Sequence, residues 1–86
     1  MNTDNHIDTV SIAVPPRDQM SRVIRLATSA VASRTGLNID QTDDLNTAME
    51  ELFHAFVIRN SNHKVEFCIK YSIHPDRLEI LAEGCH

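Results

Sequence analysis

The stretch LNTAMEELFHAFVIRNS, residues 45–61, combines an apolar repeat with two adjacent acids. Its apolar residues recur at steps of three and four, which is the spacing of one face of an α-helix. The predicted buried stripe consists of Leu45, Ala48, Met49, Leu52, Phe53 and Phe56. Glu50 and Glu51 lie in the middle of this helix, where they are either catalytic carboxylates or part of a solvated face.

Local signals predict where this helix begins and ends. Asp40 suits the N-cap, because a short acidic side chain can accept a hydrogen bond from the first free backbone N–H groups. Asp43 resembles the second half of a capping box, and Asp43 and Asp44 both suit the positive end of the helix dipole. The polar run RNSNH, residues 59–63, is typical of a turn and predicts the end of the helix.

Before this helix, the sequence predicts a strand and another helix. TVSIAV, residues 9–14, alternates in the strand period and is stopped by Pro15 and Pro16. A helix is predicted from about Asp18 to Ser33, with Gly36 as its stop signal. The residues that share its inner face are Met20, Val23, Ile24, Ala27, Ala30 and Val31.

The last part of the chain predicts two strands. KVEFCIKYSI, residues 64–73, alternates apolar and polar side chains, and HPD, residues 74–76, is typical of a turn. RLEILAE, residues 77–83, then returns as a strand. The predicted order is strand, helix, helix, strand, strand. We therefore expect an α/β (α+β) two-layer sandwich, a single domain over residues 1–86 with a flexible start at residues 1–7.

Composition excludes several classes of protein. The net charge of −4 argues against a nucleic-acid partner, which usually meets a basic face. Apolar runs stay far below the ~20 residues of a membrane span, and the polar, acidic start does not read as a signal peptide. Cys68 and Cys85 have no paired spacing. We therefore expect a cytoplasmic protein with reduced thiols and no membrane partner.

Few residues suggest chemistry when the sequence is taken alone. Glu51 lies at the edge of the apolar stripe, where a carboxylate beside a cleft could act as a general base. The five histidines include no i, i+4 pair and the cysteines no Cys-x-x-Cys, so we expect no metal site. The two glycines exclude a Gly-rich phosphate loop. Taken alone, these observations indicate only a small cytoplasmic α/β domain.

The arrangement as a whole resembles a known family. Three segments carry the likeness: IAVPPRDQMSRVIRLATSAVASRTGL, IDQTDDLNTAMEELFHAFVIRNS and VEFCIKYSIHPDRLEILAEG. They are similar to the first strand and helix, the second helix and the next two strands of bacterial anti-sigma factor serine kinases of the RsbW and SpoIIAB type. These kinases belong to the histidine-kinase-like (GHKL) ATPase superfamily. The likeness covers about residues 8–84, so the resemblance implies half of that ATPase fold.

The resemblance assigns roles on the second helix, which in the family reads AVSEAxTNAxxH. Its Glu-x-x-x-Asn motif supplies a general base and a ligand for the magnesium that bridges the nucleotide phosphates. Glu51 takes the glutamate position and Ala55 the asparagine position. Alanine has no oxygen to offer a hard cation. His54 is adjacent but points about 100° round the helix.

The next family motif, Asp-x-Gly-x-Gly, holds the adenine and is also altered. One register puts Ala82 at the aspartate, with Glu83 and Gly84 following, and a shift by one puts Glu83 there. Neither register restores the motif, and the printed residues stop at His86, before the family's lid and second glycine motif. The resemblance therefore implies a truncated, degenerate ATP site with no cofactor, in which Glu51 is a relic.

Three functions remain open at this stage. The first is a regulator that binds a sigma factor or an anti-anti-sigma protein, as a homodimer like its relatives. The second is the N-terminal portion of an active serine/threonine kinase that binds ATP and Mg²⁺. The third is a structural or dimerisation remnant. Arg22 and Arg25 on the first helix are candidate partner contacts, because the family uses this helix for recognition, although both could be solvated charges.

Overall fold

The computed structural model describes residues 7–60 and 64–85, so most of the predicted flexible start and part of the predicted turn lie outside it. The elements are β1 (Asp8–Val14), a 3₁₀ turn (Asp18–Met20), α1 (Ser21–Arg34), α2 (Ile39–Arg59), β2 (Glu66–Ile73) and β3 (Leu78–Cys85). The predicted order of strands and helices is confirmed. The chain is an α+β structure with two helices and a three-stranded antiparallel sheet.

The sheet has the order β1-β2-β3, which leaves β2 in the centre and both other strands at an edge. Val10 lies opposite Tyr71, and Tyr71 lies opposite Ile80. Because strand side chains alternate, these residues share the face covered by the helices. The alternation predicted for the strands is therefore confirmed. At the β2–β3 turn, a hydrogen bond from His74 lowers the pKa of Glu79.

The centre of the core is a pair of polar atoms surrounded by apolar side chains. The Tyr71 hydroxyl and the Thr28 Oγ1 are 2.6 Å apart, and neither residue is exposed. Burial raises the pKa of the Tyr71 phenol, and the hydrogen bond with Thr28 opposes that rise. The apolar core around them consists of Val14, Ile24, Val31, Met49, Phe53, Phe67 and Ile69.

Four residues predicted to be buried in the helix stripes are exposed. Leu52 keeps 53% of its surface and Val23 42%, and Ala30 and Ala48 are also exposed. The two helices lie side by side over only three strands, so each buries a narrower strip than its apolar repeat covers. Leu52 lies about 100° round α2 from Phe53, on the flank turned away from α1. Its predicted burial was wrong.

The start of α2 also differs from the prediction. Asn38, not Asp40, is the N-cap, and its side chain accepts from the backbone N–H of Gln41 at 2.7 Å. The Gln41 side chain in turn accepts from the Asn38 backbone N–H at 3.0 Å, which completes a capping box two residues before the predicted one. Gly36, with φ of 82°, ends the preceding turn as predicted.

The expectation of two reduced thiols is wrong in this structure. Cys68 and Cys85 form a disulfide between β2 and β3, with their Cα atoms 6.0 Å apart. The two residues are diagonal neighbours on the sheet face opposite the helices, because Cys68 pairs with Glu83 and Cys85 with Glu66. In the described residues, neither helix is long and apolar enough to cross a membrane.

Candidate functional site

The adjacent acids of α2 point in different directions. Glu50 faces α1, where its Oε2 accepts a hydrogen bond from Arg25 Nη1 at 2.8 Å. Glu51 lies about 100° further round the helix and is exposed. The two carboxylates therefore do not act as a pair. Glu50 is engaged with α1, whereas Glu51 is exposed.

Glu51 and Ala55 line one shallow surface groove on α2, together with Thr47, Glu50, His54 and Ile58. The family's asparagine position contributes only a methyl group to this groove. The His54 imidazole does not replace it, because its Nδ1 lies 3.7 Å from Asp18 Oδ1, on the side towards the start of α1. In the described parts of the chain, no three His, Cys, Asp or Glu side chains are grouped to hold a metal ion.

The end of β3 brings the altered glycine motif against α2. Ala82 faces the helices and is half-buried, opposite Ile69. Glu83 projects from the opposite face of the sheet, beside Cys68. Its carboxylate therefore cannot share a cleft with Glu51, whichever register is chosen.

Gly84 lies directly beneath an aromatic ring. A Cβ built at Gly84 would be 3.0 Å from Phe56 Cε1 and 3.0 Å from Val65 Cγ1. The Phe56 ring also packs on Phe67, with centroids 5.0 Å apart. In the family pattern the residue after the asparagine is alanine, and here that residue is Phe56. The space that a small residue would leave above the glycine is filled by the phenyl ring.

The two candidate arginines of α1 differ in their surroundings. Arg25 is engaged with Glu50, and its side chain is half-exposed. Arg22 is exposed and forms no ion pair with any side chain in residues 7–60 or 64–85. Leu26, one turn further along, keeps 65% of its surface. Arg22 therefore has the free charge that a partner contact needs, whereas Arg25 would first have to leave Glu50.

Sequence reasoning missed one buried polar contact between the helices. Asn46 is 3% exposed, and its Nδ2 donates to Ser29 Oγ at 2.9 Å, while its Oδ1 has no hydrogen-bond partner among the described residues. The one sequence signal for the burial of Asn46 was its position next to Leu45 and three residues before Met49, which puts it on the inner face of α2. With the Arg25–Glu50 ion pair, it fixes how α1 and α2 lie against each other.

Among known proteins, the chain is similar to several curated serine-protein kinases. No protein-family model matches the chain. The serine-protein kinase RsbW of Bacillus subtilis is 32% identical over 83 residues, which are 91% of this chain and 50% of that protein. RsbW of Bacillus velezensis is 30% identical over 81 residues, 88% of this chain and 49% of the relative. RsbW of Oceanobacillus iheyensis is 30% identical over 82 residues, 90% of this chain and 50% of the relative.

The chain thus spans about half the length of the curated relatives that it matches. The resemblance inferred from the sequence is confirmed: this chain is similar to the RsbW serine-protein kinases over nearly all of its own length.

Proposed function

We propose that this chain is an anti-sigma-factor-like regulator that acts by binding a protein, without using a nucleotide. The observation that carries the proposal is the change at the catalytic helix. The general-base position keeps Glu51, but the magnesium position is Ala55 and the next position is Phe56. The similarity to RsbW supports the regulatory class, and these side chains support the loss of its chemistry.

The geometry of the ATP-site positions argues against the kinase alternative. Phosphoryl transfer depends on a metal ion and on donors that hold the phosphates in line. Ala55 offers no metal ligand, Phe56 covers Gly84, and Glu83 projects from the other side of the sheet. Glu51 as a general base would therefore lack a bound metal ion and aligned phosphates to act on. We therefore propose that the ATP site is degenerate and that the protein takes no nucleotide or metal cofactor.

We place the partner contact on the outer side of α1. Arg22 supplies an exposed guanidinium that can pair two carboxylate oxygens at once, and Leu26 supplies apolar surface beside it. An acidic sigma factor or an anti-anti-sigma protein would fit this combination. Arg25 and Glu50 form the border of the contact, since their ion pair is half-exposed.

We also propose a cytoplasmic homodimer formed through the edge of β1. This edge has no charged residue from Thr9 to Val14, whereas the other edge carries Glu79 and Glu83 on one face. Antiparallel self-pairing of β3 about Leu81 would place Glu79 opposite Glu83 of the second copy, and like charges across strands are destabilising. An uncharged edge lacks that protection against pairing. Light scattering of the Val10→Lys variant would show a monomer if β1 forms the interface.

A binding assay tests the regulatory proposal. The chain is immobilised and exposed in turn to the sigma factors and anti-anti-sigma proteins of the source organism. We expect binding to one of them and a loss of about tenfold or more in affinity for Arg22→Glu, because reversed charge repels as well as removing a contact. Lys70→Glu is the matched control, since it makes the same change in charge on the face of the sheet that the helices do not cover.

The outcomes separate the alternatives. Equal binding by wild type and Arg22→Glu, with the fold intact by circular dichroism, would remove Arg22 from the interface. Binding by none of the proteins would overturn the anti-sigma proposal and favour the structural remnant.

A further inference from the structure

Cys68 and Cys85 are held in register by the sheet itself. Their strands are paired along their whole length, and the two residues are diagonal neighbours with Cα atoms 6.0 Å apart. This separation lies within the range of about 4.4–6.8 Å that disulfides span. The β2–β3 ladder therefore brings the thiols together whether or not they are bonded.

The pair lies at the open end of the β2–β3 hairpin. The turn at residues 74–77 closes one end, and the Glu66–Cys85 pair is the last of the ladder at the other. A covalent bond there closes the hairpin at both ends. It also fixes the strand end that includes Gly84, on which the Phe56 ring packs.

The thiols are on the face of the sheet that the helices leave uncovered. Cys68 lines a groove of ≈ 280 Å³ whose walls include Ala13, Lys70 and Leu81. Both cysteines are half-buried, and Cys68 is the one that lines this groove. Disulfides in reducing compartments are mostly transient and redox-sensing.

We propose that Cys68 and Cys85 form a reversible modification site for low-molecular-weight disulfides. The Cys68 thiolate attacks one sulfur of the small disulfide, which forms a mixed disulfide and releases one small thiolate. The Cys85 thiolate then attacks the Cys68 sulfur, forms the Cys68–Cys85 bond and releases the second small thiolate. The two cysteine protons end on the two released thiols, and the small disulfide is the oxidant reduced. This inference rests on the proposed cytoplasmic location, but it does not depend on the proposed sigma-factor contact.

Charge around the pair selects among oxidants. Glu83 lies opposite Cys68 and Glu66 lies opposite Cys85, both on the outer face. Lys70 is on the same face, two residues from Cys68, so these three groups together leave one negative charge beside the two sulfurs. We therefore expect cationic disulfides to react faster than anionic ones.

Equilibration with mixtures of reduced and oxidised glutathione tests the reversibility. Thiol titration and intact mass should show one monomeric species that loses two thiols and ~2 Da in a single transition. Reduction should lower the Tm by about 10 °C or more, because the bond closes a loop of 17 residues. The Cys68→Ser/Cys85→Ser variant should melt at one temperature under both conditions. Stable mixed disulfides, intermolecular dimers or an unchanged Tm would each overturn the proposal.

Oxidation kinetics test the selectivity on the wild-type chain. The rate constant with cystamine, a dication, is divided by that with oxidised glutathione, an anion, and the ratio is normalised to that of a free small thiol. We expect a normalised ratio of about tenfold at low salt. Glu66→Gln/Glu83→Gln should bring it towards one. A ratio of one in the wild type would show that these carboxylates do not select the oxidant.

Discussion

Arg25 and Glu50 join the two helices through a hydrogen-bonded ion pair of 2.8 Å. Asn46 and Ser29 make a second polar link between the same helices. Because Glu50 is engaged in the first of these links, its neighbour Glu51 is left without a second carboxylate to share a proton. Glu50 and Glu51 are adjacent in the sequence, but only Glu50 is bound to Arg25.

A double-mutant cycle should measure this ion pair directly. We expect a coupling free energy of about 0.2–1 kcal/mol between Arg25→Ala and Glu50→Ala, since half-exposed pairs are screened by solvent. The same cycle with Glu51→Ala should give coupling near zero. Larger coupling to Glu51 than to Glu50 in urea denaturation would contradict the arrangement of the two carboxylates.

Leu52→Ala and Met49→Ala should differ strongly in stability, although both residues belong to the same apolar repeat. Leu52 is 53% exposed, so its truncation should cost less than about 1 kcal/mol. Met49 is 3% exposed, and its truncation should cost about 2–5 kcal/mol. Chemical denaturation checks both, and equal costs would mean that α2 is rotated relative to the sheet.

Gly84→Ala should reveal the packing of Phe56. The added methyl group would lie 3.0 Å from Phe56 and from Val65. We expect a net loss of about 0.5–2 kcal/mol, because overpacking outweighs the smaller gain in backbone entropy. In a Phe56→Ala background the cost should fall by at least about 0.5 kcal/mol. An unchanged cost would place the steric conflict at Val65 alone.

Alkaline pH should destabilise the protein through Tyr71. Burial raises the pKa of the Tyr71 phenol in the folded chain, so its contribution is complete below its unfolded value near 10 and is lost as pH rises through the folded value. Tyr71→Phe should cost about 0.5–1.5 kcal/mol at neutral pH through the lost bond to Thr28. The variant should lose less stability than the wild type between pH 9 and 12. Parallel pH curves for the two proteins would exclude Tyr71 as the cause.

Mg-ATP should not stabilise the chain. A ligand present at 100 times its Kd would stabilise by about 2.7 kcal/mol, which a thermal melt resolves easily. We expect no magnesium-dependent rise in Tm at millimolar nucleotide, for wild type or for Ala55→Asn, since Phe56 still covers Gly84 in both. A clear rise in the wild type would revive the kinase alternative. A rise in Ala55→Asn alone would show that the metal ligand is the only missing part.

The apolar periods determined much of the architecture. Alternation in β1 and β2 predicted which side chains share a face of the sheet, because successive side chains of a strand point to opposite faces. The order of elements followed from the same periods and from the turns at Gly36 and residues 74–76. The positions of Glu51 and Ala55 on one helix face also followed from sequence, since helical geometry fixes the direction of residues four apart.

Tertiary structure decided everything that depends on the width of a surface or on contact between distant segments. An apolar repeat does not say how much of a helix the sheet can cover, so Leu52 was predicted to be buried and is exposed. Glu50 meets a residue 25 positions away, and Cys68 meets one 17 positions away. Such pairs depend on how α1 lies against α2 and on the register of β2 with β3. Helix and strand periods determine the direction of each side chain within its own element, and the packing of the elements decides which residues it contacts.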